Sequence, residues 1–153
     1  MPNLPTNYVG AMWLTALALS GTSMAAATPA AAPGAACMDN ASSQSAMTGC
    51  AIKGLDAADQ ELNQVYRQVL HKYAGDPEFV ARLKVAQKAW LAFRDAELAA
   101  RFPHSDKSDY GSVYPMCADN ELEAMTRKRT DALRAWLKGA AEGDVCAGSY
   151  RHP

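Results

Sequence analysis

The feature that most limits the fold of this chain is an apolar stripe with helical spacing. Between residues 43 and 73, large apolar side chains recur every three or four positions, which places them on one face of a helix. The members of this stripe are Ala51, Ile52, Leu55, Leu62, Val65, Tyr66, Val69, Leu70 and Tyr73. Suitable N-caps are Asn40, Ser42 and Ser43. The stripe predicts a long first helix over residues 43–73, whose apolar face needs a partner.

The sequence Gly75-Asp76-Pro77 predicts a tight turn into a second helix. Gly75 suits a left-handed C-cap, Asp76 an N-cap, and Pro77 the first helical turn. The second helix is predicted over residues 77–101, and Phe102-Pro103 should end it. Its expected inward face is Val80, Leu83, Ala86 or Gln87, Trp90, Phe93 or Arg94, and Leu98.

A polar segment over residues 104–115 separates this helix from a third, which is predicted over residues 116–137 and capped by Gly139. No segment has a convincing strand pattern. We therefore predict an all-α, up-down-up bundle of three main helices, with the polar loop and the start of the first helix at the same end. The tail over residues 139–153 should be irregular, with Cys146 as its expected attachment.

The N-terminal region has the features of a targeting segment. Residues 8–19 form an apolar run too short for the roughly 20 residues that span a bilayer. Small residues follow, so cleavage is expected after Ala25 or Ala27. We predict a signal peptide (1–27), an Ala/Pro linker (28–36), a helical domain (37–138) and a periplasmic or secreted product without stable membrane insertion. The signal lacks a positive n-region residue, and a membrane anchor is the alternative.

The four cysteines, Cys37, Cys50, Cys117 and Cys146, all follow the predicted cleavage site. An even number in an exported chain favours disulfides over metal binding, and we expect neither a metal nor another cofactor. The leading pair is Cys37 with Cys50. The remaining pair, Cys117 with Cys146, would then be strained because it has to span the length of the third helix. Pairing Cys50 with Cys117 and Cys37 with Cys146 is the alternative. A lipoprotein acylated on Cys37 is a further alternative.

Charge and motifs exclude several function classes. The chain has 15 basic and 16 acidic residues, a net charge of −1, so we expect no nucleic-acid partner. No Gly-x-Ser-x-Gly motif is present, and His71, His104 and His152 are not linked to a nucleophile. We therefore predict a protein that acts by binding rather than an enzyme.

Three blocks of residues resemble a known family. They are Cys37-x12-Cys50 with Ala58-Asp59-x-x-Leu62-Asn63-x-x-Tyr66; Leu83-x-x-Ala86-Gln87-Lys88-Ala89-Trp90-Leu91-x-Phe93-Arg94-Asp95; and Gly111-Ser112-x-Tyr114-Pro115-Met116 with Thr126-x-x-Arg129-x-x-x-Leu133. Over residues 37–138 the chain resembles the LprI-type lysozyme inhibitors. The family usually has cysteines near the end of helix two and early in helix three, where Leu98 and Glu121 stand here.

The resemblance implies lysozyme inhibition, with a host c-type lysozyme as the expected partner. An inhibitor of this kind needs a projection that enters the glycan cleft. The expected partner-binding residues are His104, Lys107, Tyr110, Gly111, Ser112 and Tyr114. A general envelope module that binds another periplasmic protein or a toxin is the alternative.

The polar residues of the shared blocks are expected to fix helix register rather than to perform chemistry. Gln87, Trp90 and Arg94 share one helix face, and Asp59, Asn63 and Tyr66 share another. The expected structural polar network comprises Asp59, Asn63, Tyr66, Gln87, Trp90, Arg94, Asp95 and Arg129.

Overall fold

The computed structural model describes residues 33–152 and contains no strand in that range. Its helices are α1 (Pro33–Met38), α2 (Gln44–Lys72), α3 (Pro77–Arg101) and α4 (Tyr114–Lys138), with a short 3-10 helix at Lys107–Tyr110. The predicted all-α bundle of three long helices is confirmed. The short helix α1 covers the last four residues of the predicted linker, 33–36, which are therefore helical.

The ends of α2 and α3 follow from local hydrogen bonds. The Ser43 side chain caps α2 by accepting a hydrogen bond from the backbone nitrogen of Ala46 at 3.2 Å. Asp76 caps α3 by accepting from the nitrogen of Phe79 at 2.9 Å. The predicted left-handed conformation at Gly75 is wrong. The turn closes instead through a bond of 2.8 Å from the Asp76 nitrogen to the Tyr73 carbonyl.

Helices α2 and α4 run parallel and pack along most of their length. Gln44 contacts Met116 near their first residues, and Lys72 Nζ donates to the Leu137 carbonyl near their last, at 2.7 Å. This arrangement confirms the up-down-up order and places the polar loop beside the start of α2. The buried core consists of Leu62, Val65, Val69, Tyr73, Leu83 and Leu133.

Helix α3 is less deeply packed than its neighbours, because Leu83 is its only buried residue. Trp90 is partly buried against the core. The sequence left open whether Phe93 or Arg94 lies on the inward face of this helix. Arg94 does, because its side chain is 17% exposed whereas Phe93 is 57% exposed. Ile52, which we placed on the inward stripe of α2, is 47% exposed. None of the helices within residues 33–152 has the length and apolar composition needed to cross a membrane.

A disulfide joins Cys37 in α1 to Cys50 in α2, with a Cα–Cα distance of 5.5 Å. The leading predicted pair is thus confirmed, and the alternative pairings of these two cysteines are wrong. Because the Cys37 sulfur is part of the bridge, it is not available for acylation. The predicted signal peptide and residues 28–32 of the linker lie outside the described residues.

Cys117 and Cys146 are free, so the prediction that all four cysteines form disulfides is wrong. Cys117 lies in the first turn of α4, and Cys146 follows the other end of the same helix. Cys117 and Lys138, the last residue of α4, are separated along the helix by roughly 32 Å. The eight residues from Gly139 to Cys146 reach at most about 29 Å, so a bridge to Cys117 would need this segment almost fully extended along α4.

The tail is irregular, as predicted, but it is attached by Tyr150 and Arg151 rather than by Cys146. The Tyr150 ring stacks on Trp136 with centroids 3.9 Å apart. The Arg151 carbonyl accepts from the Ala140 nitrogen at 3.2 Å, and the Arg151 nitrogen donates to Tyr73 Oη at 3.1 Å. Gly139, the predicted cap of α4, has a φ of +84° and no side chain to collide with the passing Arg151 carbonyl.

Candidate functional site

The segment between α3 and α4 forms a compact surface on an aromatic cluster. Phe102, at the end of α3, meets the rings of Tyr110 and Tyr114 edge-on, each at a centroid distance of 5.2 Å. The two tyrosine rings stack at 5.7 Å. These three rings join the end of α3, the 3-10 helix and the start of α4. Residues 102–114, here called the loop end, are therefore held in one arrangement by their own side chains.

Lys107 is used inside the loop end and does not project from it. Its Nζ donates to the carbonyls of Phe102 at 2.6 Å and of His104 at 2.8 Å. The same ammonium lies 5.9 Å from the Tyr110 centroid and 5.6 Å from that of Tyr114. Lys107 therefore ties two carbonyls to the tyrosine pair. The sequence placed this residue among the partner-binding groups, but the structure points it inward.

His104 and Asp106 complete the internal bonding of the loop end. The His104 nitrogen donates to Tyr110 Oη at 2.9 Å, and its imidazole Nδ1 lies 3.1 Å from Asp109 Oδ2. The Asp106 carboxylate accepts from the Ser108 hydroxyl at 2.7 Å and from the Ser108 nitrogen at 2.9 Å. These two bonds, first the hydroxyl and then the backbone, lower the pKa of Asp106.

Gly111-Ser112-Val113 forms an exposed turn just before α4, here called the tip. Gly111 has a φ of +72°, in the region that favours glycine, and the turn it makes leaves Ser112 and Val113 exposed. Val113 is 42% exposed. Of the six residues predicted to bind a partner, Gly111, Ser112 and the His104 side chain face solvent. The tyrosines are half-buried and support this tip.

The predicted polar network is brought together in two parts. On one side, Arg94 of α3 lies 3.5 Å from Asp59 of α2 and 3.2 Å from Asp95. On the other, Arg129 Nε of α4 donates to Gln87 Oε1 at 3.0 Å.

The Trp90 ring lies between the two parts, 5.4 Å from the Arg94 guanidinium and 6.0 Å from that of Arg129. Asn63 is exposed and lies outside the network.

Arg129 occupies the meeting point of the three long helices. Burial lowers the pKa of its guanidinium, and the nearby Tyr66 phenol partly opposes this effect. Burial likewise raises the pKa of Tyr66, and the Arg129 charge lowers it. In the part of the chain that the structure describes, no carboxylate lies within ion-pair distance of Arg129. The polar groups that act on its partly buried guanidinium are the neutral Gln87 amide and the Tyr66 phenol.

Sequence reasoning missed the ion pairs that join α4 to its neighbours. Glu61 of α2 pairs with Arg127 at 3.2 Å and with Arg134 of α4. Arg101 of α3 pairs with Glu121 of α4 at 2.6 Å, which joins these two helices through charge. The spacing of Glu123 and Arg127 is a signal for pairing within α4, but no local pattern identifies Glu61 as a second partner of Arg127.

The loop end presents groups that are suited to hydrogen bonding and to recognition by shape. Within residues 33–152 no group of three or more His, Cys, Asp or Glu side chains is placed to hold a metal ion. The exposed side chains of the loop end include the Ser112 hydroxyl, the His104 imidazole and the carboxylates of Asp106 and Asp109. Such polar groups on a constrained turn suit protein recognition.

Comparison with known proteins identifies the family. The family model described as "Lysozyme inhibitor LprI" matches residues 37–133, which is more than half of the chain. An uncharacterized protein of Rhizobium meliloti (strain 1021) is 34% identical over 110 residues, covering 64% of this chain and 76% of that protein. No solved structure matches the chain. The matched residues include α2, α3 and the loop end, and on this basis the chain belongs to the LprI lysozyme inhibitor family.

Proposed function

We propose that this protein is an exported inhibitor of lysozyme that acts by binding and carries out no reaction of its own. Membership in the family supports the target class. The partner would be a host c-type lysozyme, and the binding element would be the loop end. The observation that carries the proposal is the internal bonding of Lys107, which holds the loop end in shape before a partner arrives.

Rigidity is the physical reason for choosing this element. A flexible loop loses conformational freedom when it binds, and each immobilised long side chain costs about 0.5–1.5 kcal/mol. At the loop end this ordering has already occurred, because Lys107, Tyr110 and Asp106 bond within the segment. Less of the interaction energy between the exposed tip and its partner would therefore be lost in ordering the loop end.

The tip fits the chemistry of a glycosidase cleft. Such a cleft holds two carboxyl groups, one on each side of the scissile bond. The Ser112 hydroxyl can donate to a carboxylate, and the Gly111 position has no side chain to prevent close approach. His104 is exposed at the same end of the bundle.

Export is part of the proposal, and two features support it. The predicted signal peptide over residues 1–27 would direct the chain out of the cytoplasm. The Cys37–Cys50 disulfide suits the oxidising periplasm or exterior, where such bonds persist.

A second candidate is binding to a different envelope protein, without any effect on lysozyme. The inward position of Lys107 favours this reading, because the exposed tip then offers no free ammonium to an acidic cleft. The net charge of −1 also provides little electrostatic steering toward a basic enzyme.

One assay distinguishes these candidates. We expect the purified protein to slow the lysis of cell-wall suspensions by an animal c-type lysozyme. Ser112→Glu should weaken this inhibition at least tenfold, because the new carboxylate would face those of the cleft. The matched control is Ser149→Glu, the same change at an exposed serine of the tail, which should inhibit normally. If the unmodified protein has no effect at large molar excess, the lysozyme proposal is wrong and the second candidate takes its place.

A further inference from the structure

A groove runs between α3 and α4, away from the loop end. Its narrow part is a cavity of about 260 Å³ lined by Trp90, Phe93, Met125, Lys128, Arg129 and Ala132. Past Arg129 it widens into a cleft of about 490 Å³ beside Phe79, Arg82 and Trp136. We call this combined surface the α3–α4 groove. It exists because α3 contributes only one buried residue and leaves its α4-facing side partly uncovered.

The narrow part of the groove has an apolar lining that reaches solvent. Phe93 is 57% exposed, although a phenylalanine usually buries most of its surface. Trp90 and Met125 flank it and are half-buried. A large aromatic side chain at the mouth of a cavity provides a contact point for an apolar group from another molecule.

The charges of the groove differ between its narrow part and its wider part. The narrow part is lined by the cations Lys128 and Arg129 and by no acidic residue. Arg82 adds a third cation in the wider part. The acidic residues there are Asp76 and Glu78, and Asp76 is already engaged as the N-cap of α3.

Arg129 differs from the other interhelical arginines in lacking a counter-ion. Arg94, Arg101, Arg127 and Arg134 each pair with a carboxylate. Within residues 33–152, the polar group bonded to Arg129 is the neutral amide of Gln87. A partly buried guanidinium without an anion is costly, and an incoming carboxylate would supply the missing partner.

We propose that the α3–α4 groove binds an acidic amphipathic helix of a partner protein. Its apolar residues would contact Trp90, Phe93 and Met125, and its carboxylates would contact Lys128 and Arg129. A helix is the occupant that fits a groove between two helices, since anchors spaced three, four and seven residues apart follow such a groove. This surface is separate from the loop end, and its existence does not depend on lysozyme inhibition.

The test uses two labelled helical peptides of about 18 residues, roughly 27 Å long. Both carry Leu and Phe on one face; one has Glu beside that face and the other has Lys. Binding to the whole protein is measured by fluorescence anisotropy at low and high salt. The variants are Phe93→Ala and Lys128→Glu. The matched controls are Val85→Ala, at a residue 67% exposed elsewhere on α3, and Lys88→Glu, at an exposed lysine outside the groove.

We expect the Glu peptide to bind, to bind more weakly in high salt, and to outcompete the Lys peptide. Phe93→Ala and Lys128→Glu should each weaken binding about tenfold, whereas the two controls should match the unmodified protein. Absence of binding at about millimolar protein, equal binding of both peptides, or equal effects of Lys128→Glu and Lys88→Glu would each overturn the proposal. The groove variants should retain full inhibition in the lysis assay, which separates this site from the loop end.

Discussion

The two ends of the bundle are held together by different kinds of hydrogen bond. At the loop end, the bonds join residues close in sequence, such as His104 with Tyr110, six positions apart. At the opposite end, here called the tail end, the last turns of α2 and α4 meet residues 139–152. Bonds there join residues far apart, such as Tyr73 with Trp136, 63 positions apart, and Arg151 with Tyr73, 78 apart.

This difference indicates that the tail end contributes mainly to stability and the loop end mainly to recognition. Long-range bonds at the tail end form only when the whole chain is folded, so losing them lowers the free energy of unfolding. Local bonds at the loop end shape a surface segment without joining distant parts of the chain. We infer that changes at the tail end should affect stability and that changes at the loop end should affect binding. The following predictions test that division in order of decreasing effect.

The largest effect is expected for Trp136→Ala at the tail end. Trp136 packs against Phe79 at 4.8 Å and Tyr150 at 3.9 Å, so its removal leaves a cavity among these rings. We expect the free energy of unfolding, measured by urea titration, to fall by about 3 kcal/mol. Inhibition per folded molecule should be unchanged. A variant as stable as the original would show that the tail end does not contribute to stability as described.

A matched glycine pair compares the two ends directly. Gly111 (φ +72°, ψ −175°) and Gly139 (φ +84°, ψ −178°) adopt nearly the same backbone conformation. Alanine at either should cost on the order of 1–3 kcal/mol for the conformation alone. At Gly139 the new Cβ also meets the Arg151 carbonyl, whereas at Gly111 it meets nothing within 4 Å.

Gly139→Ala should therefore be the less stable variant by about 1–3 kcal/mol, as measured by thermal or urea unfolding. Equal losses for the two variants would mean that the tail does not lie against Gly139 in solution.

The helix caps show which local features the sequence predicts correctly and which it does not. Ser43, Asp76 and Gly139 were predicted as caps because capping depends on a few neighbouring residues. Gly75 was predicted wrongly, since a turn that leads directly into Asp76-Pro77 closes through the Tyr73 carbonyl without a left-handed residue.

The contacts that sequence could not supply are long-range or depend on side-chain direction. Nothing in the local pattern relates Glu61 to Arg127, or Tyr150 to Trp136. Lys107 was placed correctly in the loop, but its inward direction depends on two carbonyls that only the folded turn brings together. The polar network was predicted from helix faces, yet Asn63 shares a face with Asp59 and still points to solvent.

At the loop end, Lys107→Met should weaken inhibition more than it weakens the fold. It keeps much of the side-chain length and removes the ammonium that binds the carbonyls of Phe102 and His104. We expect inhibition to fall about tenfold because the partner must then order the loop, with a melting temperature within about 3 °C of the original. Lys138→Met, at an exposed lysine of the last turn of α4, is the control for loss of a charge. Loss of stability without loss of inhibition would contradict the assigned role of the loop end.

The smallest effect concerns pH and the first turns of α4. Burial raises the pKa of Asp119, and the neighbouring charge of Asp56 raises it further. The folded state therefore holds this proton more tightly than the unfolded state, so this group's contribution to stability falls as pH rises through its folded pKa.

Asp119→Asn should raise the free energy of unfolding at pH 7 by about 0.3 kcal/mol, with no increase at a pH below the ordinary aspartate pKa. Urea unfolding at both pH values tests this, and a gain of equal size in acid would contradict the electrostatic cause.

The most direct test of the central claim is an NMR footprint of c-type lysozyme on the isotope-labelled protein. Addition of excess lysozyme should shift or broaden the backbone amide signals of residues 104–114 and leave those of residues 140–152 unchanged. An unchanged spectrum, or shifts confined to the tail end, would contradict the assignment of the loop end as the inhibitory surface.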